Sequence, residues 1–316
     1  MDSITQAALG AAIGQGIAGK DLGSRKAIIT GAVLATIPDL DVLLYLFYDK
    51  LEMLSIHRGL SHSLFFLTLE TGLLYLIMRR WKTFAKLRSI KLVSFIFLAL
   101  VTHVLLDALT AFGTQLLLPF SSTRVSWDSI NVVDPVYTLL LLLGTLGSLF
   151  IKKGKINLNA LGLLLSSCYL LFTLINKSFV HDHIASIANS KFEKVENITT
   201  IPVGVANKKW YGIISSTEKI GLMLYDAFTH EYSEITTFPI HEEYFEEIDD
   251  QLASTMRWFA KDNYTLDKQG DTLMIYNLQV DMRGISMQDG QLVPTKGYFT
   301  VTKKGEGYEF GSGSWE

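Results

Sequence analysis

His57-Arg58-Gly59-Leu60-Ser61-His62-Ser63 stands where a short polar connection runs into the apolar run Ser61–Met78. Two imidazoles, one guanidinium and a turn-forming glycine fall within seven residues at the edge of a membrane-type segment. Imidazole is the commonest metal ligand among side chains and stays neutral enough near pH 7 to bind. Histidines five positions apart do not share a helix face, so a rigid helical pair is not expected. Gly59 is expected to break the helix, leaving His57 in the connection and His62 at the start of the next helix.

Around this stretch the 316-residue chain is strongly asymmetric. Its first 175 residues hold several apolar runs near membrane-spanning length, and the remainder reads as soluble. The expected fold is an α-helical membrane bundle of about five to six transmembrane helices followed by a small α+β domain. Residues 1–175 form the polytopic part with the candidate metal site, and 176–316 the extracytoplasmic α+β domain. The net charge of −3 says little about partners. Cys168, alone and inside an apolar run, excludes an intrachain disulfide and leaves the redox compartment unread. Ile4 begins the first apolar run with no basic stretch before it, so a cleavable signal peptide is not expected. There is no internal repeat, low-complexity tract or basic, aromatic-interleaved surface, which argues against a nucleic-acid partner.

Ile4–Ala18 is rich in small residues, with Gly10, Gly14 and Ala18 spaced for close helix packing; it spans or lies re-entrant. Asp2 and Ser3 before it are ordinary N-cap types. Ala27–Tyr48 is long enough to cross, but Pro38-Asp39-Leu40-Asp41 interrupts it. Proline removes a backbone hydrogen bond and carboxylates in hydrocarbon are costly, so a broken helix lining a polar cavity is expected. Leu92–Thr110 carries His103 and Asp107 four apart, hence on one face. Val136–Ile151 and Leu158–Ile175 complete the bundle.

Basic residues set the orientation. Lys20, Arg25 and Lys26 lie in the first connection, six more between Arg79 and Lys91 in the third, and Lys152, Lys153 and Lys155 in the fifth. The other connections hold only Lys50, Arg58 and Arg124. Twelve against three places the odd connections in the cytoplasm. Six crossings then put both termini outside, and Asp39, Asp41, His57, His62, His103 and Asp107 converge on the outer side.

Carboxylates and imidazoles in this mixture suit Zn²⁺ first and Mn²⁺ second, with ligands enough for one closed site or two open ones. A bound cation acidifies water and polarises a phosphoryl or carbonyl oxygen. Plainer readings stand beside this one. His103 and Asp107 can form a neutral hydrogen-bonded pair, the Pro38-Asp39 kink can simply reach the interface, and His62 can be no more than a helix-start residue. Arg58 suits a substrate anion or snorkels to the interface. Asp134-Pro135 reads as an N-cap followed by proline at the first helical position. Gln115, Arg124 and Asp128 are candidates to line a mouth over the site.

Beyond Asn176 the pattern becomes β-type at Trp210–Ser216, Gly221–Ala227, Thr272–Val280 and Gly297–Thr302. Glu242–Lys261 reads as an amphipathic helix through Phe245, Ile248, Leu252, Met256 and Phe259. His181-Asp182-His183 is expected as a solvated polar turn.

Taken together, Met1–Gln6, Pro38–Asp41, His57–Ser63, His103–Ala108, Thr114–Ser121 and Asp134–Thr138 resemble the bacterial membrane-bound metal-dependent hydrolases of the YdjM/YbcI type, the DUF457 family. The resemblance covers the membrane half and continues weakly around Pro202–Tyr211. It implies a multi-pass protein of the bacterial cytoplasmic membrane and a divalent-metal hydrolase whose ligands are the aspartates and histidines at positions 39, 41, 57, 62, 103 and 107. Gln6 departs from the family pattern, where many members carry His; a site that uses that His has one ligand fewer here, or a water. The resulting expectation is a hydrolase of an ester or phosphoester in a membrane lipid or lipid-linked substrate at the outer leaflet. Asp39 or Asp41 is expected as general base and Arg58 as holder of the substrate's anion. The alternative is a non-enzymatic protein that binds or transports metal ions. A transport path needs polar residues through the whole depth, and the inner halves of the helices carry almost none.

Overall fold

A computed structural model describes residues 1–150, 157–192, 194–279, 285–288, 291–294, 298–305 and 307–313. The connection expected to carry Lys152, Lys153 and Lys155, the end of the Val136–Ile151 run at Ile151, and the strand end at Val280 lie outside these residues. The chain divides into two compact units, Met1–Leu43 with Ile56–Ile175, and Leu44–Ser55 with Asn176–Glu316. The short stretch Leu44–Ser55, read from sequence as part of the membrane half, clusters with the second unit.

The first unit is helical: α1 (Ser3–Leu22), α2 (Ser24–Thr36), α4 (Leu64–Arg79), α5 (Ser89–Ala108), α6 (Pro135–Phe150) and the first part of α7 (Leu158–Lys191). A shorter helix α3 (Lys50–Ile56) precedes the turn into α4. Helix α5 is the hub. Leu92, Phe95, Ile96, Ala99, Leu100 and Val104 are fully buried along one stripe at three- and four-residue spacing. His103 and Asp107 continue that stripe, so the core packing itself fixes where they point.

Helices α5 and α7 are long and apolar enough to cross a membrane. Two further spans arise if each bent pair counts as one: α2 with the 3₁₀ helix Pro38–Leu46, bent by 50°, and Lys50–His62 with α4, bent by 57°. The helical region thus holds two to four candidate spans, against about five to six expected. The difference has a physical cause. Helix α1 is long enough but built of small and polar residues, and α6 is apolar but only 16 residues long, about 24 Å against a hydrocarbon core of about 30 Å.

Small residues let α1 and α2 touch backbone to backbone. A Cβ on Gly31 would stand 2.0 Å from the Gly10 carbonyl oxygen, and one on Gly14 2.2 Å from that of Ala27. Gly144 of α6 and Gly162 of α7 repeat the device, with a Cβ on Gly144 reaching 2.7 Å from the Gly162 Cα. Asp2 caps α1 by accepting from the Ile4 and Thr5 amides. Asp134 caps α6 through the Val136 and Tyr137 amides and accepts a further bond from Tyr169 at 2.7 Å, which accounts for Asp134-Pro135 without catalysis.

The second unit contains two antiparallel sheets. The first runs β1 (Asn197–Val203), β2 (Lys209–Ser215), β3 (Lys219–Asp226), β4 (Thr236–Pro239) in sequence order. Strands β5 (Tyr264–Gln269), β6 (Thr272–Asn277), β9 (Tyr298–Lys304) and β10 (Gly307–Gly313) form the second in the order β10-β9-β6-β5. A separate two-stranded ribbon pairs β7 (Ile285–Gln288) with β8 (Gln291–Pro294). The amphipathic stretch divides into a 3₁₀ helix, Glu242–Glu247, and α8 (Asp250–Ala260), capped by Asp249. Phe245, Leu252 and Met256 pack there with Leu266, Leu273 and Ile275, joined by Leu51 and Leu54.

The polar turn expected at His181-Asp182-His183 is instead helical. Helix α7 continues to Lys191 because Val180, Ile184 and Ala188 pack on Trp210, Ile214 and Met223 of the first sheet. His183 stacks on His230 with ring centroids 5.3 Å apart.

Replacing Gly31 by Val forces side-chain atoms into the α1 backbone and should destabilise the bundle by about 1–3 kcal/mol or more. Gly72→Ala, where nothing lies within 4 Å of the added carbon, should leave stability unchanged or slightly raised. Thermal unfolding in detergent, followed by size-exclusion chromatography, distinguishes the two.

Candidate metal centre

Three separate elements deliver the site. Pro38 cannot continue the α2 hydrogen-bond ladder, and the chain tightens into the 3₁₀ helix Pro38–Leu46, whose first turn carries Asp39 and Asp41. The turn between α3 and α4 delivers His57, Arg58 and His62. The C-terminal end of α5 delivers His103 and Asp107.

The break in the second element falls one residue earlier than the glycine suggests. Arg58, not Gly59, adopts the left-handed conformation, with φ 58°. This backbone is rare for a residue with a side chain and is held from both sides. The Arg58 amide donates to Asp41 Oδ2 at 3.0 Å, and its carbonyl accepts from the Gln115 amide at 3.0 Å. His62 then falls in a single 3₁₀ turn, Leu60–His62, and Ser63 caps α4 through the Phe66 amide.

Asp39, His62, His103 and Asp107 each offer one ligand atom, all within 4.8 Å of one another. His62 Nε2 lies 3.4 Å from Asp39 Oδ1 and 3.5 Å from Asp107 Oδ2. His103 Nε2 lies 3.3 Å from Asp39 Oδ1 and 3.6 Å from Asp107 Oδ2. Tetrahedral coordination with bonds of about 2.0–2.1 Å has edges of about 3.4 Å, so these separations fit one ion. His62, His103 and Asp107 are fully buried. Of their facing atoms, His62 Nε2 and His103 Nε2 have no hydrogen-bond partner among the described residues, and Asp107 Oδ2 is met by the Arg58 guanidinium as an ion pair. Leaving such groups unsatisfied costs about 1–3 kcal/mol each, and a shared cation removes that penalty.

The surroundings fix both imidazole tautomers in the ligand form. His103 Nδ1 lies 2.5 Å from the Ala35 carbonyl, which can only accept, so Nδ1 carries the proton and Nε2 a lone pair. His62 Nδ1 lies 2.9 Å from Ser61 Oγ, whose single proton goes to Asp41 Oδ2 at 2.8 Å. His62 therefore donates from Nδ1, and in the neutral ring its Nε2 is a lone pair too. A buried Asp/His cluster of this kind could bind a metal ion.

The six expected ligands fall into two groups. Asp39, His62, His103 and Asp107 come together. Asp41 and His57 stand beside them and pair with each other, Asp41 Oδ1 to His57 Nδ1 at 2.9 Å. With His57, Ser61 and the Arg58 amide on its oxygens, Asp41 organises the turn. Arg58 is buried and places Nε 3.1 Å from Asp107 Oδ2.

Sequence reading missed several groups that hold these residues. Gln6, noted only as a departure, is fully buried and donates from Nε2 to Asp107 Oδ1 at 2.9 Å and to the His103 carbonyl at 3.2 Å. The Met1 ammonium also pairs with Asp107 Oδ1. The Ala35 carbonyl carries no sequence signal, whereas Ser61 lay inside the motif and its hydroxyl could have been suspected. Glu70 on α4, half-buried, keeps one carboxylate oxygen without a partner among the described residues.

A helical, membrane-type unit with a buried cluster of two carboxylates and two imidazoles defines a class of integral membrane protein. The chain belongs to the YdjM inner membrane protein family, whose profile matches residues 1–180. It is 34% identical over 146 residues to the uncharacterized protein YfhP of Bacillus subtilis (strain 168), which covers 43% of this chain and 42% of that protein. The chain thus spans less than half the length of that relative. It is also 35% identical over 133 residues to the inner membrane protein YbcI of Escherichia coli (strain K12), covering 41% of this chain and 75% of the other. No solved structure matches it.

Substituting His62 or His103 by Ala should cut bound divalent metal at least tenfold in purified protein, whereas His57→Ala should leave the stoichiometry near wild type. Asp41→Asn should weaken metal affinity by about 10–100-fold through the loosened turn. Elemental analysis after dialysis against graded chelator separates the three outcomes.

Proposed function

We propose that the protein is a membrane-embedded, divalent-metal-dependent hydrolase acting on an ester or phosphoester, in a lipid or lipid-linked substrate at the outer leaflet. The observation that carries this reading is the convergence of four ligand atoms within 4.8 Å of one another, the two imidazole Nε2 atoms among them buried without hydrogen-bond partners among the described residues. Two imidazoles and two carboxylates suit Zn²⁺, with Mn²⁺ second. Asp39, His62, His103 and Asp107 would hold the ion. When bound, it supplies an acidified water and a polarised carbonyl or phosphoryl oxygen.

The residues around it divide the remaining work. Asp41 has three donors on its two oxygens, which leaves it poorly placed to take a proton. His57 is better placed: Asp41 fixes its Nδ1, its side chain is 20% exposed, and its ring centroid lies 6.3 Å from that of His62. We therefore assign the proton-carrying role to His57, oriented by Asp41, in place of the aspartate base expected from sequence. Arg58 faces the same pocket from a buried position and suits an anionic substrate group.

The proposal extends to topology. Helices α1 and α6 join the candidate spans as crossings held by their glycine contacts, giving six, with the site near the outer leaflet and residues 176–316 outside the cytoplasm. Burial of Gly10, Ala11, Ala12 and Gly14 supports it, since a helix covered by its neighbours needs no lipid-facing hydrophobic surface.

Two experiments test these readings. Detergent-purified protein should contain about one divalent ion per chain and hydrolyse a member of a lipid-ester and phosphoester panel, with His57→Ala losing turnover but not metal. Metal-free protein, or unchanged turnover on chelation, defeats the enzyme assignment. A periplasmic-type reporter fused after Asn176 should read outside; a cytoplasmic signal reverses the topology.

A further inference from the structure

Two buried arginines meet one aromatic ring beside the cluster, and Arg58 also reaches a ligand carboxylate. Arg58 and Arg124 are 7% and 6% exposed. Both guanidinium carbons lie over the Phe112 ring, 4.5 Å and 4.6 Å from its centroid. His57 meets the same ring edge-on at 5.6 Å. Phe112 is thus the shared wall between the two guanidiniums and the Asp41–His57 pair.

The backbone holds both arginines in place. Thr114 and Val125 exchange amide–carbonyl bonds at 2.9 Å each way, which folds the connection after α5 back on itself and brings Arg124 to Phe112. Arg124 also donates to the Phe112 carbonyl. One residue beyond Thr114, the Gln115 amide bonds the Arg58 carbonyl. A single short segment, 112–115, therefore sets the position of both cations.

Arg58 leaves part of its guanidinium unsatisfied. Arg58 Nη1 is buried without a hydrogen-bond partner among the described residues. Burial, and then the charge of Arg58, push the Arg124 guanidinium below its usual range, the mark of like charges held together out of water. Asp39, Asp41 and Asp107 carry three negative charges near Arg58, and a divalent ion would add two positive ones. With an ion bound, the carboxylate charge facing Arg58 would be offset, a setting in which the guanidinium suits an anion.

We propose that Arg58 and Arg124, braced on Phe112, form a subsite for the phosphoryl group of a phosphate monoester, which deepens and rests on the hydrolase reading above. Guanidinium forks match phosphoryl oxygens. Two forks and a metal ion offer three cationic contacts, which suits the three non-bridging oxygens of a monoester. A diester presents two such oxygens and a carboxylic ester a single carbonyl. Arg58 binds on the metal side, and Arg124 holds the oxygen turned toward the connection.

Radiolabelled inorganic phosphate is the probe, with zinc-loaded, detergent-solubilised full-length protein freed of excess metal and studied by equilibrium dialysis. Wild type should bind about one phosphate per chain. Arg124→Gln should weaken binding at least tenfold with zinc content unchanged, and Arg124→Lys should recover part of the loss. Soluble phenyl phosphate should compete, and dimethyl phosphate should compete at least tenfold less well. Competition by phosphatidic acid in mixed micelles identifies a lipid headgroup as source. Competition by soluble monoesters alone identifies a soluble one, and either result supports the subsite. Protein that retains zinc but takes up no phosphate, binds it equally well as Arg124→Gln, or prefers the diester overturns the subsite while sparing the metal reading. Protein that binds no zinc defeats the earlier reading instead.

Discussion

An imidazole buried in an apolar bundle must give its one N–H to something, and where that proton goes decides where the lone pair points. Here the protein spends both protons on acceptors that face away from the centre. The Ala35 carbonyl takes that of His103, and the Ser61 hydroxyl, committed in turn to Asp41, takes that of His62. Two lone pairs are then turned on Asp39 Oδ1 and Asp107 Oδ2, each imidazole–carboxylate separation lying at 3.3–3.6 Å. Without a cation or protons among them, these groups repel; with a cation, every contact becomes favourable. The bend after α2, the left-handed Arg58 and the polar end of α5 all serve to place these atoms.

Helix α5 shows how stability and site geometry are joined. The stripe that buries Phe95, Ile96, Ala99 and Leu100 reaches His103 and Asp107 without a change of phase. Rotating α5 to move either residue would expose the core stripe, so the hydrophobic effect holds the ligands in angle. Their axial position is held by Gln6, which bonds both the His103 carbonyl and Asp107 Oδ1. Gln6 projects from α1, which meets α2 backbone to backbone at Gly10 and Gly31, and α2 in turn supplies the Ala35 carbonyl to His103. A small-residue seam and a polar centre are thus parts of one arrangement.

Much of this was legible from sequence, for identifiable reasons. His103 and Asp107 at four-residue spacing inside a continuous apolar run could share only one face. Pro38 before two aspartates could only break a helix, and it does. What pattern could not separate was one member of each close pair from the other. Asp39 and Asp41 occupy the same 3₁₀ turn, and His57 and His62 the same short motif, so composition and spacing treat them alike. The distinction comes from tertiary partners: Asp41 is taken up by His57, Ser61 and the Arg58 amide, leaving Asp39 for the cluster. The two to four candidate spans fall short of the expected five to six because hydropathy in α1 and length in α6 fail separately. The helical continuation of α7 through His181-Asp182-His183 was invisible because its stabilising partners, Trp210 and Met223, lie in strands that follow it.

The division between ligand and support also bears on what a bound ion would experience. Asp107 Oδ1 is already engaged by the Met1 ammonium and by Gln6, and Oδ2 is approached by Arg58. A carboxylate so surrounded donates less electron density than a bare one and leaves a bound cation more electrophilic. Asp39, with a side chain 23% exposed, has fewer such neighbours and is the ligand nearest the open side. The two carboxylates would therefore bind unequally, one fixed in a cationic frame and the other free to adjust. That inequality would leave Asp39 as the carboxylate free to adjust, on the partly exposed side of the cluster.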